Sequence, residues 1–156
     1  MAGLLLRPPP AGYWALAPVL ASLRRELLKA YPAVPASAYG TVGDQAHRLR
    51  KSDHNPDQRG YVRALDIPYI EHGGVPLPLL AEFLRQVGAT QSQRLNPGGY
   101  VVYNRRTASA RTRWKWSTYL GDDPHLRHLH VSCSLLPHFY VLNQPWNVAS
   151  ALERMG

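Results

Sequence analysis

Apolar side chains return at helical intervals near the start of the chain. Leu16, Val19, Leu20, Leu23, Leu27 and Leu28 share one face and Arg24, Arg25 and Lys29 oppose it, so an amphipathic helix is predicted over residues 17–31. Pro18 fits the first turn, where its missing N–H is not needed, and Pro32 ends the helix. "PAVPASAYGTVGD" reads as a loop, "QAHRLRKS" as a short helix or turn, and "HNPDQRG" as a turn. In "YVRALDIPYI" a strand is expected, with Val62, Ala64 and Asp66 on one face and Tyr61, Arg63, Leu65 and Ile67 on the other. "VPLPLLAEFLRQVG" reads as a second helix closed by Gly88. "NPGG" is a turn and "YVVYN" a strand. "RRTASARTRWKWSTYLGDDP" reads as one long basic, aromatic loop, "HLHVSC" as a third strand, and the tail as ending in a short helix. The order of elements predicts an α+β fold, a small and mainly antiparallel sheet flanked by helices.

Length and composition narrow this picture. A chain of 156 residues suits one domain, expected over residues 13–156 behind an arm of residues 1–12. Fourteen prolines point to short elements joined by fixed turns. The formal charge is +8, nearly all from arginine, since Lys29, Lys51 and Lys115 are the only lysines. Such a surface favours polyanions, whether nucleic acid, an anionic membrane or acidic cell-wall polymer, and equally serves solubility. Cys133 is the single cysteine, so an internal disulfide and a CxxC metal site are excluded, and any metal must use His and carboxylate ligands. "MAGLLLRPPPAGYW" places its apolar run before the arginine, the wrong order for a signal peptide. No stretch approaches the roughly 20 apolar residues of a spanning helix.

The candidate chemistry lies in two places. In a strand, residues two apart face the same side, so His128 and His130 point together while Leu129 and Val131 point into the other layer. Asp66 falls on a second strand and His54 on the turn before it. Two imidazoles and a carboxylate leave a tetrahedral zinc ion one open position for water. Asp66, flanked by Leu65 and Ile67, needs a cation or a hydrogen-bond partner if buried. An HxH pair alone is ordinary structure, and His47, His72 and His138 are assigned to structure or surface. What stands out is the combination of a His–turn–strand Asp with a later HxxHxH.

"SDHNPDQRGYVRALDI" followed by "HLRHLHVS" resembles the LAS-type zinc peptidases, in particular the group of D-Ala-D-Ala carboxypeptidases, phage endolysin peptidases and murein endopeptidases. Ser52, His54, Gly60, Ala64 and Asp66 match their SxHxxGxAxD motif in order, with longer His-to-Gly and Gly-to-Ala intervals. His125, His128 and His130 resemble the second motif of the murein endopeptidase branch. The resemblance covers roughly residues 40–133 and implies a hedgehog/DD-peptidase-like fold with one Zn²⁺ held by His54, Asp66 and His130. Many relatives carry a carboxylate base three residues before the last ligand. Here that position is Arg127, which has no acceptor. His128, assisted by His125, is the expected substitute, with Asp122 and Asp123 as nearby alternatives.

The implied activity is hydrolysis of an amide in peptidoglycan stem peptides or cross-links by a metal-activated water. Arg48 and Ser52 would hold a substrate carboxylate. Tyr103 and Arg105, with Trp114, Trp116 and Tyr119, would line a groove, unless the aromatic loop packs into the core. The implied setting is synthesis in the cytoplasm and action at the cell wall, after release or within a phage or effector particle. Two rivals remain. One is a non-catalytic module that holds zinc and binds cell-wall peptide or a partner. The other is a metal-dependent nuclease, suggested by "SDHNP" and the basic charge, but the chain continues into a strand and a proline-rich helix where such nucleases need a later Asn and His. No specific nucleic-acid partner is expected.

Overall fold

The computed structural model describes residues 7–43 and 50–156. It is α+β, built on a five-stranded antiparallel sheet. The strands are β1 (Ala15–Leu16), β2 (Tyr61–Val62), β3 (Ala64–Pro68), β4 (Tyr100–Tyr103), β5 (Arg106–Ser109), β6 (Ser117–Thr118) and β7 (His128–Ser132). The helices are α1 (Pro18–Ala30), α2 (Leu77–Ala89), α3 (Pro137–Tyr140) and α4 (Val148–Met155). The large sheet runs β3-β7-β4-β5-β6, while β1 and β2 form a separate parallel pair. The last strand of the sequence motif, β7, is therefore central, between β3 and β4.

One sheet face is covered by helices. Leu65, Ile67, Val101, Leu129 and Val131 join Leu20, Leu23, Leu27, Leu80 and Leu84 in a continuous core. Each fully buried leucine contributes roughly 1.5–3 kcal/mol by leaving water. The alternation expected for "HLHVS" holds: Leu129 and Val131 are fully buried in this layer. The other face carries Asp66 of β3, His128, His130 and Ser132 of β7, and Tyr100 and Val102 of β4. Its register sets Asp66 opposite His130 and Tyr100 opposite Ser132.

Three expectations need correction. The strand expected in "YVRALDIPYI" is broken at Arg63, where the chain changes partners: Val62 pairs with β1 and Ala64 with β7. Arg63 marks the switch, its N–H donating to the Asp53 carbonyl and its guanidinium to Asp53 Oδ1 at 2.5 Å and the Cys133 carbonyl at 3.3 Å. The long loop expected over residues 105–124 contains β5, a short 3₁₀ turn and β6. Its hairpin uses Asn104 and Arg105 at φ +47° and +63°, a two-residue turn with both central residues left-handed. Sequence reasoning missed it because neither is glycine. Gly88 does not close α2; it lies within the last turn, and Thr90 caps the end. The glycine is needed for close approach, since a Cβ there would come within 2.3 Å of the Trp114 ring. The expected helix-or-turn in "QAHRLRKS" lies mostly outside the described residues.

Candidate metal centre

The antiparallel register puts Asp66 and His130 side by side, and the turn before β2 swings His54 against both. His130 Nδ1 is 3.0 Å from Asp66 Oδ1. His54 Nε2 is 3.3 Å from Asp66 Oδ2 and 3.2 Å from His130 Nδ1. Zinc–nitrogen and zinc–oxygen bonds of about 2.0–2.1 Å at tetrahedral angles separate donors by about 3.3 Å, so these gaps have the right size.

The remaining ring nitrogens are already engaged. His54 Nδ1 donates to the Thr41 carbonyl at 2.5 Å, which leaves the Nε2 lone pair facing inward. His130 Nε2 lies 2.9 Å from Ser132 Oγ; donating there leaves Nδ1 bare toward Asp66. Outer contacts of this kind fix the tautomer and aim of metal-binding imidazoles. In this tautomer the two inner nitrogens and the carboxylate converge, an arrangement that a cation or a shared proton between them stabilises. Burial pulls His54 down, but the hydrogen bond and charge of Asp66 and the Thr41 carbonyl together raise it. Burial pushes Asp66 up, yet the hydrogen bonds and charges of His130 and His54 hold it far below the usual carboxylate range. The donor set fits a divalent transition ion.

Local structure explains the aim of each group. Ser52 Oγ accepts from the His54 N–H at 3.2 Å, so this serine shapes the turn that presents His54. Asp66 is clamped on its second edge by Gly40, through N–H···O bonds of 3.0 and 2.8 Å in the two directions. A Cβ on Gly40 would sit 3.0 Å from the Asp66 Cβ and 3.3 Å from Oδ2, so glycine keeps the carboxylate free. The Tyr100 ring stacks on His130 at 5.1 Å and 19°.

His128 and His125 complete the cluster. His128 Nε2 is 4.0 Å from Asp66 Oδ2 and 3.7 Å from Asp123 Oδ2. The His125 and His128 rings are 4.5 Å apart, and those of His125 and His130 5.8 Å. The five residues expected for metal and acid–base roles thus meet in one place. The expected substrate residues divide. Ser52 is at the site, and Arg105 is exposed on the β4–β5 turn, its N–H donating to the Pro124 carbonyl beside His125. Tyr103 shares the face of Val101, opposite His130, and lines a small surface cleft with Glu82 and Trp116. Arg48 lies outside the described residues. Trp114 is core, 1% exposed with its indole N–H on Asn96, and Trp116 packs beside it with its N–H on Glu82.

Sequence reasoning missed Thr41, Ser132 and Tyr100. Ser132 was within reach, because it lies two residues past His130 on the same strand face. Thr41 carried no signal, since it acts through a backbone carbonyl. Ser132, His130 and Asp66 also have the connectivity of a serine nucleophile, base and orienting acid. Ser132 is fully buried between β3 and β4, so no substrate carbonyl reaches its hydroxyl. No protein-family model, curated protein or solved structure matches the chain. Among the described residues, no helix is long and apolar enough to cross a membrane.

Proposed function

We propose that this chain is a zinc-dependent peptidoglycan peptidase that hydrolyses an amide in stem peptides or cross-links. One observation carries the reading: an inner nitrogen of His54 and of His130 and the two carboxylate oxygens of Asp66 form contacts of 3.0–3.3 Å, each imidazole has a partner at its outer nitrogen, and the imidazole of His128 stands beside them. A bound zinc ion supplies Lewis-acid chemistry, lowering the pKa of water to about 7 and polarising a carbonyl. Everything else falls to the side chains. His54, Asp66 and His130 hold the ion. His128 accepts a proton from the attacking water as its oxygen bonds to the carbonyl carbon. The same imidazole returns that proton to the departing amine as the C–N bond breaks. His125, against the His128 ring, adds a second imidazole to the acid–base pair. Arg105, exposed on the turn whose N–H meets the Pro124 carbonyl, would bind a peptide carboxylate.

A second reading, a module that holds zinc and cleaves nothing, is favoured by Arg127. Its guanidinium lies over the Tyr69 ring at 5.7 Å, and it offers no base. One assay separates the two. Protein purified without chelator is digested with muropeptides, and new amine groups are counted. About one tightly held zinc per chain is expected, with amine release that stops on chelation and returns with zinc. His128→Ala keeps the metal and loses hydrolysis by about 10²–10⁴-fold. Wild type that frees no amine with any metal belongs to the second reading; a fully active His128→Ala removes His128 from the mechanism.

A further inference from the structure

Asp123, His125 and His128 form another group whose ligand atoms lie within 4.8 Å of one another. Its parts are held in place. His125 sits in a left-handed conformation, φ +54°, that a residue with a β-carbon seldom adopts. Its N–H donates to Asp123 Oδ1 at 2.9 Å and its carbonyl accepts from the Asn104 N–H at 3.0 Å. Its ring Nδ1 donates to the Asp123 carbonyl at 2.6 Å and lies 3.9 Å from Asp123 Oδ1, so in this tautomer Nε2 is the nitrogen with a lone pair to offer. The ring is 8% exposed as a residue and packed edge-on by Tyr119 at 5.3 Å. Strain kept in a loop that aims a buried imidazole is a common mark of a functional position. Across from it, His128 Nε2 faces Asp123 Oδ2 at 3.7 Å.

We propose that Asp123, His125 and His128 bind a second transition-metal ion beside the first, and that filling this site withdraws His128 from proton transfer. Two imidazoles and one carboxylate select Zn²⁺, Co²⁺ or Cu²⁺ over Mg²⁺ and Ca²⁺. Affinity is lower than at the first site, because the Asp123 side chain is 61% exposed and rides on a loop, whereas Asp66 is fixed in a sheet. The second ion therefore enters only when metal is in excess, and the enzyme is inhibited by surplus of the metal it needs. The inhibition rests on the peptidase reading; the binding does not.

The test uses the full chain, stripped with chelator and titrated with Zn²⁺ by calorimetry, then with Co²⁺ by visible absorption. Two steps are expected, a tight one and a weaker one. Asp123→Asn, which keeps an oxygen for the His125 N–H, weakens the second step by at least about tenfold and spares the first. His54→Ala loses the tight step and keeps the weak one. A single step at any excess of metal, or an unchanged second step in Asp123→Asn, overturns the site. With muropeptides, wild-type hydrolysis falls as the second step fills, and Asp123→Asn hydrolysis stays level over the same range. Hydrolysis that stays level in wild type refutes the withdrawal of His128. Were wild type inactive at one equivalent, the peptidase reading would fall, and the two binding steps alone would support or refute the second site.

Discussion

The two histidine–aspartate groups use the same donor types in different settings. His54, Asp66 and His130 are tied to a sheet register, a glycine clamp and two outer hydrogen bonds. Asp123, His125 and His128 hang mainly on a loop, with one carboxylate in water. The first group is arranged before any ion arrives, so little ordering entropy opposes binding; the second must immobilise a solvated side chain. On the proposed reading, preorganisation rather than ligand identity sets the order of affinity.

The largest effect should come from removing the shared carboxylate of the first group. Asp66→Asn leaves two imidazoles facing a neutral amide, and the charge that balances the ion is gone. Metal carried through purification should fall to background, a greater loss than the about 10–100-fold of an outer-shell change. Asp123→Asn should retain its tight metal. Elemental analysis of both variants side by side checks this; equal retention would mean that the sheet confers no advantage over the loop.

A smaller effect is expected one bond further out. Ser132→Ala removes the partner of His130 Nε2 and leaves a buried ring N–H unpaired. Zinc affinity should drop by about 10–100-fold, and metal-free stability by about 1–3 kcal/mol. Competition with a chromophoric chelator and denaturant melts read the two quantities separately. Ser132→Thr, which keeps the hydroxyl, should recover affinity in proportion to how well its methyl group fits the site.

Most of what made the first group legible is periodicity. Alternation along "HLHVS" and "ALDIP" put the right side chains on one face, because strand geometry leaves few choices. The amphipathic spacing of Leu20, Leu23 and Leu27 located α1 to within a residue at each end. What escaped were features that depend on tertiary packing. The left-handed hairpin at Asn104 and Arg105 is held by hydrogen bonds to Pro124 and His125, which no local pattern reveals. For Trp114 the sequence left groove and core open, and its burial and the notch at Gly88 show it to be core. The β2–β3 break at Arg63 follows from a change of strand partner, which hydrophobic alternation cannot register.

The smallest effect tests whether a carboxylate with no histidine near it behaves independently of the metal centre. Glu82, on α2, receives hydrogen bonds from Arg85 at 2.6 and 2.9 Å and from the Trp116 indole at 3.0 Å. The Arg85 guanidinium is the main reason that its carboxyl is held down, from 4.5 to about 2, with Trp116 and Gln86 adding to it against burial. A group whose folded pKa is depressed contributes stability in full above its unfolded value. That contribution disappears as pH falls from about 4.5 through about 2. The side chain is 35% exposed, so solvent screening limits the gain to about 1 kcal/mol or less. Urea melts of metal-free wild type and Glu82→Gln over this pH range isolate the effect, since every other group is common to both proteins and cancels in the difference. The gap between the two should be widest near neutral pH, close as pH falls, and shrink with added salt, while zinc content stays equal. Loss of zinc in Glu82→Gln would show that the helix-covered face of the sheet helps to set the geometry of the metal face, and would remove the independence assumed for the two.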